Sequence, residues 1–531
     1  MNQDSAKPTP AKALDLRLSR GTGVDAVMGD IAIDSEDVAL HVKSHRWEPS
    51  RRLQWLQELL PHWQSLPLSA GSRSALEKLQ DPTCQIVMAG QQPALCGGPL
   101  LSTVKLLAAT RMAADLEKRG IPAVALFWIA DEDHDVGELD PGRFRNGVRM
   151  EVPFGSGRRP ISELRHPGSE TLRRQELEAC LAGAPHAAEV LSILSGAFDP
   201  SPSVEFRNVL WSLLPDEEWL PIHPQWLRSL QKPWIEKAFA DSESFQKDVL
   251  TASLEQQEAG IPAPVRPREG APFFFINEDG ERVRPETTTL TGADELLADP
   301  ERLSADALLR GMIQDAIFEP AAVILGATEW CYNLQTRDVR KQWGISQPLW
   351  LPRPGLRPLE SDRVKALAEL GIGLERLVPG IDLTAEIPSS KGELKRMELM
   401  RASEDLFGHM QKIAEDEFSN PSLRKKARRM WLRWQRQLES LGKSVDQGLD
   451  VEVEAQRNRV RQLLDQVFPG GSEPERTRNL CDLLAWHGLE SVQEMTATIS
   501  GSIRRWDGRV SAWPLPTLNQ LNESENSDES P

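Results

Sequence analysis

The 531-residue chain predicts an α/β fold: a Rossmann-like parallel-sheet core with inserted connecting segments, plus a long antiparallel helical coiled-coil arm. Three observations carry this. A strand–helix–strand pattern falls within 82–140, a second α/β stretch within 300–390, and heptad-spaced apolar residues run through 391–468. A chain of this length exceeds one ordinary core and divides into several units.

Residues 1–81 mix a proline-containing leader with amphipathic pieces such as RRLQWLQELLPHWQSL, read as a helical segment packing on the core. CQIVMAG then reads as a short buried strand and QQPALCGGP as a loop. LLSTVKLLAATRMAADLEKRG is a helix, with Val104, Leu107, Ala108, Met112 and Leu116 on one face and Gly120 closing it. IPAVALFWIA is a second buried strand, which completes a βαβ unit with a right-handed crossover. Residues 141–299 alternate strand-like pieces (MEVPF, APFFFI) with helices and prolines, as connecting insertions would. The second half of the core, 300–390, holds a helix (DALLRGMIQDAIF), a strand (PAAVILGA), a helix (EWCYNLQTRDVRKQWG) and a strand (QPLWLPRPG).

In the arm, Ala427, Trp431, Trp434, Leu438, Leu441 and Val445 step 4-3-4-3-4, and Leu449, Val453, Val460, Leu463 and Val467 continue the seam. An upstream helix through Leu394, Met397, Leu406, Met410 and Ile413 supplies the second limb, and a homodimer through this arm is the expected assembly. A helical segment, 469–515, and an acidic tail, 516–531, finish the chain.

A net charge of −17 speaks against a general nucleic-acid binder, whose affinity rests on neutralising phosphates. No apolar run approaches the ~20 residues of a bilayer span, and MNQDSAKPTPAKALDLRL has no apolar signal core, so a cytoplasmic protein is expected. Five scattered cysteines without a CxxC pair exclude the common zinc ribbons and give no disulfide framework.

Ligands of an open parallel sheet bind beyond the carboxyl ends of its strands. Three segments land there: the loop Gly90–Pro99, the run Asp131–Asp135, and the strand end Gly326–Glu329. In the loop, Gly90, Gly97 and Gly98 permit tight turns, and the following helix turns free N–H groups toward an anion. No Gly-Lys-Ser/Thr follows, so it is not a Walker A loop, and a purely structural turn explains the glycines equally well. Gln91 and Gln92 suit a polyol or carboxylate, and Lys105 can counter a phosphate or carboxylate. In FWIADEDHD, an apolar strand runs straight into Asp131, Glu132, Asp133, His134 and Asp135. A solvated acidic turn is the plain alternative, but coupled carboxylates around one imidazole at the sheet's ligand edge are a common condition of functional sites: they can hold Mg²⁺, bind an amine, or use His134 as proton acceptor. His41 and His45 lack a third ligand and read as surface histidines, while SSKGEL at 389–394 reads as a helix capping box.

These motifs resemble those of the cysteine-adding enzymes of bacillithiol biosynthesis, the BshC family. Its members carry a TGQQ…GP loop, a helix with an early lysine, and FWIA-x-EDHD. Here stand Ala89-Gly90-Gln91-Gln92, Gly98-Pro99, Lys105, and Phe127–Ala130 followed by Glu132–Asp135. Arg310 matches the family's Leu-Arg-Pro helix with Gly311 in place of proline, and Gly326 and Glu329 match its Gly-Gly-x-x-Glu strand end. The resemblance implies a Rossmann-like core related to cysteinyl-tRNA-synthetase-type ligases and a coiled coil that dimerises. It implies amide formation between cysteine and glucosaminyl-malate, driven by ATP or another nucleotide. Gln91, Gln92 and the amides after Gly98 would then hold sugar-malate or phosphate, with Gly90, Gly326 and Glu329 completing the binding set. His134, Glu132, Asp133 and Asp135 would handle the amine or Mg²⁺, and no zinc site for the cysteine thiol is expected. Another adenylate-forming or nucleotidyl-transferring enzyme, or a non-catalytic dimeric scaffold, are the alternatives.

Overall fold

The computed structural model describes residues 35–44, 48–155, 157–285, 299–384, 398, 401–410, 412, 421–504 and 510–515. His45, the SSKGEL segment and the acidic tail lie outside the described residues. The chain forms two compact units, 1–361 with 474–531, and 362–473.

The first unit is organised by a five-stranded sheet. β1 (Gln85–Gln91) is followed by helix α1 (Leu100–Lys118) and β2 (Ala123–Ile129). β3 (Trp219–Ile222) comes next on one side, and β7 (Ala322–Leu325) and β8 (Leu349–Pro352) lie on the other. The order is β3-β2-β1-β7-β8, all neighbours parallel. Such strands bury both faces, and β2 is buried at every position. One apolar core packs Val104, Leu107 and Met112 of α1 against one sheet face. A second packs Leu308, Leu309 and Met312 of α2 (Ala307–Phe318) against the other.

The chain leaves β1 toward β2 and β3, then returns to the other side of β1 with β7. The topological switch point therefore lies between the carboxyl ends of β1 and β7, where an open α/β sheet receives its ligand. Gly120 stands just past the end of α1 with φ of 76°, as the sequence predicts.

Within 141–299 the expectation of insertions alone fails at β3, which joins the main sheet. β4 (Phe274–Glu278), β5 (Glu281–Val283) and β6 (Leu303–Ala305) make a separate antiparallel sheet. MEVPF forms no strand. The helix predicted over EWCYNLQTRDVRKQWG is two, α3 (Ala327–Leu334) and Arg337–Gln342. Gln335 at the break turns its amide to Ser253 Oγ and the Val265 carbonyl, both at 2.7 Å. Near the C-terminus, α4 (Leu480–His487) and Ser491–Arg504 are helical as predicted, but Val510–Leu515 is a strand, β10, paired in parallel with β9 (Gly355–Glu360).

In the second unit a 47-residue helix spans Pro421–Val467. Phe407, from helical residues 401–410, stacks on Trp431 with ring centroids 3.8 Å apart. Val453, Val460, Leu463 and Val467 of the predicted seam are buried, whereas Trp434 and Leu441 remain 46% and 52% exposed.

Candidate functional site

The crevice at the switch point begins with a close backbone approach. A Cβ at Gly90 would lie 2.9 Å from the Trp128 carbonyl oxygen, so only glycine lets β1 end against β2 in this way. Lys105, on the second turn of α1, is buried beneath it and all three of its protons are used. Nζ donates to the Gly90 carbonyl at 2.8 Å and to Gln91 Oε1 at 3.0 Å, and pairs with Glu329 Oε2 at 2.6 Å. The same Glu329 oxygen accepts from the Gly326 amide at 2.6 Å, closing the first turn of α3. Burial lowers the Lys105 pKa, with Glu329 acting against it. Lys105 thus ties α1 to two strand ends, those of β1 and β7, and its charge is neutralised within the protein.

Gln91 and Gln92, bonded to each other at 3.2 Å, line a cavity of about 40 Å³ with Gly90, Glu329, Arg310 and Tyr332. Arg310 hydrogen-bonds Tyr332, the chain's one tyrosine. Burial works against the Arg310 charge, yet Tyr332, Asp133, Glu132 and Glu329 together raise its pKa. Arg310 therefore faces both the Gln-Gln end of β1 and the acidic run after β2.

That run tolerates its charges because its members are partnered separately. Asp131, fully buried, pairs with His223 Nδ1 at 2.7 Å at the end of β3. Glu132 is ion-paired with Arg228, although burial pushes its pKa up against Arg228 and Arg282. Asp133 accepts from the His134 amide at 2.8 Å and pairs with Arg282 Nη1 at 3.4 Å. Burial would raise the Asp133 pKa, but Arg310 and Arg282 outweigh it and hold the carboxyl low. Asp135 is exposed and caps the turn Val136–Leu139 through the Gly137 amide at 3.0 Å. The four carboxylates diverge, and among the described residues no group of three or more His, Cys, Asp or Glu converges as a metal site.

His134 stands over the edge of Phe275, with Nδ1 3.4 Å from Arg282 Nη1. Burial first, then Arg282 and Arg158, lowers its pKa against the pull of Asp133. At neutral pH the ring is uncharged and keeps a lone pair for accepting a proton.

The loop after Gln92 behaves differently. Cys96, Gly97 and Gly98 all have positive φ, at 51°, 75° and 71°. Its amides are spent inside the protein: Cys96 N on Glu205 at 3.1 Å, Gly98 N on the Leu95 carbonyl at 2.9 Å, and Leu100 N on the Arg478 carbonyl at 2.9 Å. Asn479, the N-cap of α4, donates Nδ2 to the carbonyls of Pro141 at 2.8 Å and of Cys96 and Gly98 at 3.3 Å each. The glycine pair is a packed structural turn, and Gly98 does not line the crevice.

The structure thus gathers Gly90, Gln91, Gln92, Lys105, Gly326 and Glu329 at one place. It sets His134 and Asp133 beside it across Arg310, and turns Glu132, Asp135 and Gly98 to other partners. Tyr332 in the crevice wall, and Arg228, Arg282 and His223 as partners of the acidic run, are residues that sequence reasoning missed. A lone tyrosine two residues past Trp330 was the available signal for one of them.

Fold and crevice together define a Rossmann-like α/β protein with a polar crevice at the switch point of its sheet. The chain belongs to the BshC family: residues 34–354 match the model described as "Bacillithiol biosynthesis BshC, N-terminal Rossmann-like domain". Similar proteins named "Putative cysteine ligase BshC" occur in Bacillus mycoides, 24% identical over 467 residues, covering 82% of this chain and 85% of the relative. Another, in Solibacter usitatus, is 26% identical and covers 78% of this chain and 82% of its own. A third, in Koribacter versatilis, is 25% identical and covers 87% and 90%.

Proposed function

We propose that the protein is a ligase that joins the carboxyl of cysteine to the amine of glucosaminyl-malate, the last step of bacillithiol biosynthesis. Family membership carries this reading, together with relatives that are named for cysteine ligation and match most of the chain. Amide formation in water needs an activated carboxyl, so ATP or another nucleotide is the second substrate. The acceptor amine attacks the activated carbon, the N–C bond forms, and the activating group leaves with its electron pair. The amine sheds a proton, and the neutral ring of His134 is the acceptor the site provides.

Gln91 and Gln92 supply amide donors and acceptors for sugar hydroxyls, while Arg310 offers a charge for a carboxylate or phosphate. With the Cys96, Gly98 and Leu100 amides bonded within the protein, this reading gives the phosphate to arginines rather than to the backbone of the loop. Since the acidic run is divided among arginines, a histidine and its own turn, this reading assigns it no Mg²⁺. A cytoplasmic homodimer is part of the proposal: Met430, Trp434 and Leu441, about half exposed on the long helix, are the face for a second copy. Trp434→Glu with Leu441→Glu should then give monomers by sedimentation.

Purified protein given cysteine, glucosaminyl-malate and ATP should release bacillithiol, and deleting the gene should remove that thiol from the host. No product with any nucleotide, alongside an unchanged thiol profile in the deletion strain, would overturn the reading.

A further inference from the structure

We propose that the pocket beside His134, lined by Arg158, Arg266, Arg268 and Arg284, binds a small ligand group carrying two or more negative charges, carboxylate or phosphate. The pocket encloses about 230 Å³, far beyond the ~10–15 Å³ that one water requires. Its wall is the antiparallel sheet. Arg282 and Arg284 lie over the Phe275 ring, 3.8 and 4.3 Å from its centroid, which fixes two guanidiniums by stacking. Arg158 is docked onto β5 in both directions. Its Nε donates to the Arg282 carbonyl at 3.0 Å, and the Arg282 amide donates to the Arg158 carbonyl at 2.8 Å.

Against four lining arginines stands one lining carboxylate, Asp306. It is already shared between Arg284 at 3.1 Å and the first amides of α2, Leu308 at 3.1 Å and Leu309 at 3.0 Å. Asp133, the next acid along, is committed to Arg282. Arg266 and Arg268 are exposed. Concentrated positive charge in a chain of net −17 is self-repelling unless an anion completes it. A single negative charge leaves most of it uncompensated; two or more, met by planar forks, match it. The site assignment stands on this charge and geometry. Only the idea that its ligand presents a reacting group to His134 rests on the ligase reading above.

The test is calorimetric titration of the full chain with malate and with inorganic tripolyphosphate, comparing wild type with Arg266→Ser/Arg268→Ser. Both side chains are exposed, so the double variant should melt with wild type. One probe should bind at one-to-one stoichiometry, weakening tenfold or more in the double variant and further with added salt. Malate as the binder assigns the pocket to a dicarboxylate, and tripolyphosphate assigns it to a nucleotide's phosphates. Failure of both probes, or binding indifferent to the two substitutions, overturns the site. A chain that binds a probe as expected but forms no thiol keeps the site and loses the ligase reading. One that forms bacillithiol with unchanged KM for every substrate in the double variant keeps the ligase reading and loses the site.

Discussion

Replacing Lys105 with methionine removes a side chain that bonds β1, its terminal glutamine and the start of α3 at once. Three contacts disappear, at 2.6, 2.8 and 3.0 Å. Breaking a buried ion pair from one side typically costs ~3–5 kcal/mol, because the partner is left charged and unpaired. Here Glu329 is 26% exposed and retains the Gly326 amide, so water recovers part of that loss. Methionine also fills the aliphatic volume and removes the burial cost of the ammonium. The expected destabilisation is about 2–3 kcal/mol. Urea unfolding followed by tryptophan fluorescence reads it, since Trp128 and Trp330 report on this unit. A cycle with Glu329→Gln isolates the pair: the double variant should be about 1 kcal/mol or more stabler than the sum of the single losses. A Lys105→Met midpoint indistinguishable from wild type, or strict additivity in the cycle, refutes the brace.

Further outcomes concern the crevice walls. Gly90→Ala places a methyl 2.9 Å from the Trp128 carbonyl and 3.1 Å from its Cβ, and should cost about 1–3 kcal/mol in the same unfolding assay; a neutral result would mean that the strands part freely. Arg228→Ala strands the buried Glu132 carboxylate and should cost about 3–5 kcal/mol, partly recovered by adding Glu132→Gln; equal instability of single and double variants removes the pairing as the cause. The His134 pKa is lowered on folding, so below 6.5 the unfolded chain binds more protons and stability falls as pH drops toward the folded value. His134→Gln should flatten that part of the stability–pH curve and remove the acidic limb of ligation, whereas an unaltered curve argues against a half-buried imidazole whose pKa is lowered on folding.

How far the sequence revealed all this follows from where the information resides. β1, α1 and β2 were legible because each carries a continuous local signal, an apolar run or a 3.6-residue stripe. β3 was not: WLPI is four residues with Pro221 inside, which reads as a loop. It is tolerated because β3 is the sheet edge, where a missing amide need not pair. β10, VSAWPL, hides behind Pro514 in the same way. Gln91, Lys105 and Glu329 were legible as neighbours because their motifs sit at strand ends. Arg228 and Arg282 were not, being 96 and 149 residues from the acids they hold, a pairing that no local pattern encodes. The glycine pair was visible, but its meaning depended on Asn479, more than 380 residues downstream.

That last distance bears on biosynthesis. The turn that leads from β1 into α1 emerges from the ribosome early, yet its carbonyls wait for Asn479, and β9 waits for β10 at the far end of the chain. Synthesis at ~5–20 residues per second leaves this interval open for tens of seconds. During it the nascent unit carries unsatisfied polar groups and an open strand edge, the features that recruit chaperones. A message cut short anywhere before the Asn479 codon yields a chain whose loop never locks. Emergence of Asn479 thereby becomes the event that locks the turn leading into α1.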